Sequence, residues 1–305
     1  GSQIAVGSYH VCALKTDGTV YCWGSNQNGR LGDTTTTTRY TPVQVKGVGA
    51  IGVLSNVTAI SSSDNSTCAL VNGNVYCWGY GNDGRMGDNG GTDRWSPVQV
   101  KGLGGVGFLS DVQQIAGYGG NQCALSNGGI YCWGYNGNGS IGDGTNTDRW
   151  VPVAVTGLGS GVQELSGGGQ QYACALNNGA MKCWGYNGNG RLGDNTGSNR
   201  WTAITVKGTG GIGTLTGVQY LKQSSSTSQS NYAITNGSLK SWGRGDRGQL
   251  GNGGTAEIWT PVQVTGLTSG AYSVSAGERF ACALVNGSIS CWGYNNDGQM
   301  GNNTT

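Results

Sequence analysis

Apolar side chains come in brief runs along this chain, separated by Gly, Asn, Ser and Thr, and four kinds of run recur in a fixed order. The first is small and apolar, as in Ile4-Ala5-Val6-Gly7 or Ile115-Ala116-Gly117. The second is Cys-Ala-Leu, as at Cys68-Ala69-Leu70, and the third alternates, as in Val75-Tyr76-Cys77-Trp78. The fourth is Pro97-Val98-Gln99-Val100, with equivalents at residues 42–45, 152–155 and 261–264. Short runs of this kind between turn formers predict strands. Proline cannot donate the N–H that an interior strand needs, so its recurrence at the start of the fourth strand marks that strand as an edge.

The four-strand unit repeats six times. One marker is Cys-Trp-Gly, at Trp23, Trp78, Trp133, Trp184 and Trp292, with Ser241-Trp242-Gly243 as a copy lacking its cysteine. A second marker trails it: Arg39-Tyr40, Arg94-Trp95, Arg149-Trp150, Arg200-Trp201 and Ile258-Trp259. Both series advance by 55, 55, 51 and 58 residues, so they belong to one repeating unit. Four antiparallel strands with one outer edge, repeated around a ring, describe a propeller blade. A solenoid is the structural alternative, but it calls for distinct capping repeats, and none is evident. The expected architecture is all-β, a single propeller over 1–305 with units at 1–58, 59–113, 114–163, 164–219, 220–272 and 273–305. Trp78 precedes Pro97 by 19 residues, and that interval counted from Trp292 runs past Thr305. The sixth blade is therefore expected to have three strands and a bare edge, open to strand addition from outside this chain or to self-association.

The turns predict how the cysteines pair. In Cys174-Ala-Leu-Asn-Asn178-Gly179-Ala-Met-Lys-Cys183, Asn-Gly is a strong two-residue hairpin signal, and counting outward sets Cys174 opposite Cys183. The same count joins Cys68 to Cys77, Cys123 to Cys132 and Cys282 to Cys291, and a loop longer by one residue still sets Cys12 facing Cys22. In the fifth unit Tyr232 and Ser241 take both cysteine positions, so no thiol is orphaned. Zinc would need four converging ligands, and each unit offers two. Five disulfides imply an oxidising place, secreted or at a cell surface.

Val20-Tyr21-Cys22-Trp23-Gly24-Ser25-Asn26-Gln27-Asn28-Gly29-Arg30-Leu31-Gly32 resembles the signature of the regulator of chromosome condensation repeats, and all six units match it. The resemblance implies a propeller, of about seven blades in the best-known members, and non-enzymatic work through a face of the disc. Cross-strand cysteines and sparse charge depart from the nuclear members, so only the fold is carried over, not nucleotide exchange on a GTPase. Secreted bacterial proteins with such repeats, one of which inhibits β-lactamases, look like the nearer analogy.

Composition narrows the chemistry. Gly makes up 61 of 305 residues, a tenth are charged, and the formal net charge is +2 without a Lys/Arg run, so nucleic acid is not an expected partner. No stretch approaches the ~18 apolar residues of a membrane span, so membrane insertion is not expected. The chain opens without a basic-then-apolar leader, which suggests a processed product. His10 is the single histidine, expected in a solvent-facing loop, and Glu164, Glu257 and Glu278 are the only glutamates, so a catalytic or metal constellation is not supported and no cofactor is called for. Asp-Gly loops at residues 82–84 and 143–148 superficially suggest calcium but lack a bidentate Glu, and turn formation accounts for them. The Arg-Trp pairs suit inter-blade packing better than a cation–π platform.

Binding should lie where units differ. Loops after strands one and three emerge on one face, and the first of these varies freely, at residues 7–10, 61–67, 118–122, 168–172, 223–231 and 278–280. The candidate site is therefore Tyr9, His10, Tyr118, Tyr172, Glu278 and Arg279, with Tyr80, Tyr135, Tyr186 and Tyr294 just past Trp-Gly. Tyrosines among Gly, Asn, Gln and Ser resemble recognition surfaces; padding of blade against blade is the alternative for those after Trp-Gly. The expected function is extracellular binding without catalysis, with a protein partner. The alternatives are lectin-like glycan binding, a structural subunit of a surface assembly, and last a secreted hydrolase.

Overall fold

In a computed structural model, which describes residues 2–221 and 228–304, each tight hairpin closes where the Asn-Gly pairs stand. Asn72 and Gly73 hold φ of 48° and 77°, both positive, which matches the right-handed twist of the strands they join. The resulting register sets Cys68 against Cys77 and Cys174 against Cys183. All five expected bridges are present: Cys12–Cys22, Cys68–Cys77, Cys123–Cys132, Cys174–Cys183 and Cys282–Cys291, with Cα atoms 4.0 to 4.1 Å apart. In the fifth unit Tyr232 and Ser241 face each other in the same register. There the Tyr232 hydroxyl donates to Gln249 O at 2.7 Å and Ser241 Oγ donates to Leu250 O at 2.6 Å, so hydrogen bonds replace the covalent link.

The described residues form an all-β propeller of six antiparallel sheets, five of four strands and one of three. In the second blade Val57–Ser62, Ser66–Val71, Asn74–Gly79 and Arg94–Gln99 lie side by side in chain order. The sixth has Ala271–Ala276, Phe280–Val285 and Ser288–Gly293. First strands from the second blade onward begin at Val57, Val112, Val162, Val218 and Ala271, just before the unit boundaries expected from the repeat.

The fourth strand corrects one expectation. It starts at Arg39, Arg94, Arg149 and Ile258 rather than at the proline, which lies inside it. The ladder is interrupted between Cys22↔Val43 and Gly24↔Arg39, so Pro42 falls in a bulge on the outer edge, where its missing N–H breaks no ladder bond.

Blade holds blade through the two tryptophan series. The indole of Trp78 donates to Arg30 O at 3.0 Å, and Trp133, Trp184, Trp242 and Trp292 do the same to the preceding blade. Gly32 is required beneath it, since a methyl group there would lie 3.0 Å from Trp78 Nε1. The second series lies on the other loop glycine: a methyl on Gly29 would sit 2.4 Å from Trp95 Cδ1. The arginines beside these indoles pair within their own blade, Arg94 with Asp88 and Arg200 with Asp194, so the Arg-Trp pair is a packing device. Burying roughly 200 Å² of indole is worth on the order of 5 kcal/mol, against about 2–3 kcal/mol for a disulfide closing so short a loop. Inter-blade packing therefore outweighs the bridges.

Near the axis, amide side chains satisfy the inner strand edges. Gln3 donates to Ile60 O at 2.8 Å and accepts from Ile60 N at 2.9 Å, while Leu165 N donates to Gln114 Oε1 at 2.8 Å. Two flanks stay uncovered among the described residues. Ile4 is 60% exposed although its equivalents Ile60 and Ile115 are buried, and Ile289 is 72% exposed although Leu239 is buried.

Candidate functional site on the loop face

The loops after first and third strands share one face, as the contact of Ser25 N with Tyr9 O at 2.9 Å shows. Four of the six longer loops are built around one asparagine. Asn26 Oδ1 accepts from Leu31 N at 3.0 Å while its amide donates to Thr35 O at 2.9 Å, and Asn136, Asn187 and Asn295 repeat both bonds. Aspartates complete the frame. Asp143 accepts from Thr145 N at 3.0 Å and from Thr145 Oγ1 at 2.8 Å, and its second oxygen pairs with Arg149. Burial pushes the Asp143 carboxyl up, but the bonds from Thr145 and Arg149 outweigh it and hold it below the ordinary range. Its oxygens are spent on protein donors, so the loop that superficially suggested calcium is a turn. Among the described residues no group of three or more His, Cys, Asp or Glu is placed to hold a metal ion.

The structure divides the expected site residues. Tyr9 stands at a loop tip, 70% exposed. Tyr118 and Tyr172 are fully buried, which corrects their assignment to a contact surface. Tyr118 donates to Ser140 O at 2.9 Å, and Tyr172 donates to Ser230 O of the next blade at 3.3 Å. Burial pushes the Tyr118 phenol far above its ordinary value. The physical cause is position: these residues flank the axis, where blades converge and a large ring is enclosed between neighbours. His10, expected in solvent, is 2% exposed for the same reason. Its Nε2 lies 2.8 Å from Thr67 Oγ1, across the first inter-blade seam. Burial, helped by the charge of Arg30, lowers its pKa to about 3. Residues 223–227 of the expected loop at 223–231 lie outside the described residues.

Tyr80, Tyr135, Tyr186 and Tyr294 are half-buried. Three of them have an arginine over the ring: Arg85 at 4.9 Å from Tyr80, Arg191 at 4.6 Å from Tyr186 and Arg247 at 5.7 Å from Tyr294. Sequence reasoning missed all three; Arg85 and Arg191 share one position in the repeat signature, whereas Arg247 lies outside that position. The structure does bring Glu278, Arg279 and Tyr294 together. With Phe280, Asp297 and Gln299 they line a groove of about 300 Å³ on the sixth blade. Arg279 Nε and Glu278 Oε1 are 3.2 Å apart at its mouth. Such a groove offers both charge signs, amide and aromatic surface.

A family model for the RCC1-like domain matches residues 1–305. The ultraviolet-B receptor UVR8 of Arabidopsis thaliana is 29% identical over 285 residues, 92% of this chain and 62% of that protein. The mitochondrial RCC1 domain-containing protein RUG3 of the same plant is 30% identical over 276 residues, 87% of this chain and 59% of that protein. The chain thus spans about three fifths of the length of these relatives. Among solved structures, human WBSCR16 matches with a TM-score of 0.74 and 25% identity, over 93% of this chain and 71% of that one. Prp20p of Saccharomyces cerevisiae, described with its binding to Gsp1p and histones, matches with a TM-score of 0.78 and 20% identity, over 99% of this chain and 74% of that one.

Proposed function

We propose that this chain, which belongs to the RCC1-like domain family, is a non-catalytic extracellular binding module that recognises another protein through its loop face. The observation that carries the reading is the groove on the sixth blade, where Glu278, Arg279, Phe280 and Tyr294 combine an ion pair with aromatic surface. Arginine and aromatic anchors surrounded by polar groups are the usual energetic centres of protein interfaces. The five disulfides support an oxidising location. Arginines over Tyr80 and Tyr186 weigh against a lectin, because a sugar would need those ring faces.

The test immobilises the chain and an Arg279→Glu/Tyr294→Ala variant and exposes both to secreted and surface proteins of the source organism. A protein retained by the parent and lost by the variant supports the reading. Binding on a glycan array without any protein retained would replace it with the lectin alternative, and a concentration-dependent rise in mass alone would replace it with the structural-subunit alternative.

A further inference from the structure

Three linkers between blades carry a projecting finger on the face opposite the loops. Residues 46–54, 101–109 and 207–215 share the pattern Lys-Gly-x-Gly-x-Ile/Val-Gly-x-Leu. They fold alike. Lys46 N donates to Gly32 O at 2.9 Å, Gly47 N to Gly52 O at 3.1 Å and Leu54 N to Val45 O at 3.1 Å; the other two fingers repeat all three bonds within 0.1 Å. The first glycine is required, because a methyl group on Gly47 would lie 2.0 Å from Ile51 O. Leu54, Leu109 and Leu215 are buried, whereas the tips Ile51, Val106 and Ile212 are 81%, 81% and 83% exposed.

The remaining two linkers act as an internal control. They reach the equivalent leucine directly, with Leu158 N donating to Val155 O and Leu267 N to Val264 O, both at 3.1 Å. Thr156 and Thr265 stand where the fingers have lysine. Blades therefore join without a finger, and the lysine, the finger and its exposed aliphatic tip occur together or not at all. The fingers contain no acidic residue, and among the described residues Lys46, Lys101 and Lys207 form no ion pair.

We propose that this face docks on a lipid surface bearing anionic headgroups, with the three tips at the headgroup boundary and the lysines among the headgroups. One chemistry repeated at three separate blades suits a partner that is uniform from place to place, which a bilayer surface is and a protein epitope is not. Each finger leaves its fourth strand at the same register, with Lys46 N, Lys101 N and Lys207 N donating to Gly32 O, Gly87 O and Gly193 O, so the three present one chemistry at equivalent places on their blades. Aliphatic side chains beside lysines are the pairing that holds a protein in the interface plane. Uncompensated lysines on both sides disfavour stacking of two copies through this face. The loop face stays free for a partner.

The test sediments the intact chain with vesicles of phosphatidylcholine alone and of phosphatidylcholine with phosphatidylglycerol. Binding is expected only with phosphatidylglycerol and should fall as salt is raised. The Ile51→Asp/Val106→Asp/Ile212→Asp variant should lose at least roughly tenfold in partitioning, and each Lys→Gln change roughly fivefold. The melting temperature should be unchanged, since the substituted tips are exposed. No binding to phosphatidylglycerol vesicles, or equal binding by the triple variant, would overturn the assignment, and so would loss of a protein contact in that variant without any vesicle binding by the parent.

Discussion

The single histidine offers a clean pH experiment. His10 is held neutral between two blades, its pKa lowered to about 3 by burial and by the charge of Arg30. The unfolded chain should protonate it near the ordinary value of about 6.5. Between those values the unfolded state binds a proton that the folded state refuses, so stability falls as pH falls. Above the unfolded value neither state is protonated, and the effect vanishes. The slope approaches about 1.4 kcal/mol per pH unit, which integrates to roughly 2 kcal/mol between pH 7.5 and 5. That is a sizeable part of the 5–15 kcal/mol typical of a domain. Most carboxylates are still ionised across this window. Glu164, raised by burial, contributes with the opposite sign, because the folded state takes up its proton first. Comparing the parent with His10→Gln by urea unfolding at pH 7.5, 6 and 5 isolates the histidine. The parent should lose about 2 kcal/mol more than the variant over that range, and the imidazole proton resonance should not titrate above pH 4. Parallel stability curves, or a histidine that titrates near 6.5, would refute the buried neutral assignment.

Three further outcomes follow from the packing. Tyr232→Cys/Ser241→Cys should form a sixth bridge, worth about 2–3 kcal/mol, yet lose roughly 3–5 kcal/mol of buried ring packing. The oxidised variant should therefore melt below the parent, and a higher melting temperature would show that the ring contributes little. Gly84→Ala places a methyl group 2.4 Å from Arg149 O at a φ of +76°, so a loss of roughly 2–4 kcal/mol is expected in denaturant unfolding. A peptide copying residues 258–264 should pair with the outer edge of Ser288–Gly293, as Val262 pairs with Ser241. It should slow hydrogen exchange in that strand alone and raise the melting temperature; protection spread evenly over all blades would count against edge pairing.

The repeat, the strand order and the cysteine pairing were legible in the sequence because each is local. Asn178-Gly179 sets a two-residue turn, and the period of two along each strand carries the register from there to Cys174 and Cys183. The start of the fourth strand was misplaced for the converse reason: the bulge around Pro42 is set by the neighbouring strand, so the proline marks the edge but not the boundary. Among the candidate site residues, Tyr9 and Tyr118 look alike in sequence, each a tyrosine in a glycine-rich loop, yet one is exposed and the other fully buried. Ile51 and Leu54 are likewise two aliphatic residues of one short segment, one almost bare and one in the core. What separates them is distance from the axis and contact with a blade some fifty residues away, such as that of Trp78 with Arg30. Periodicity records which way a side chain leaves its own strand. Whether a neighbour then covers it depends on how closely successive blades converge, and that is a property of the assembled ring.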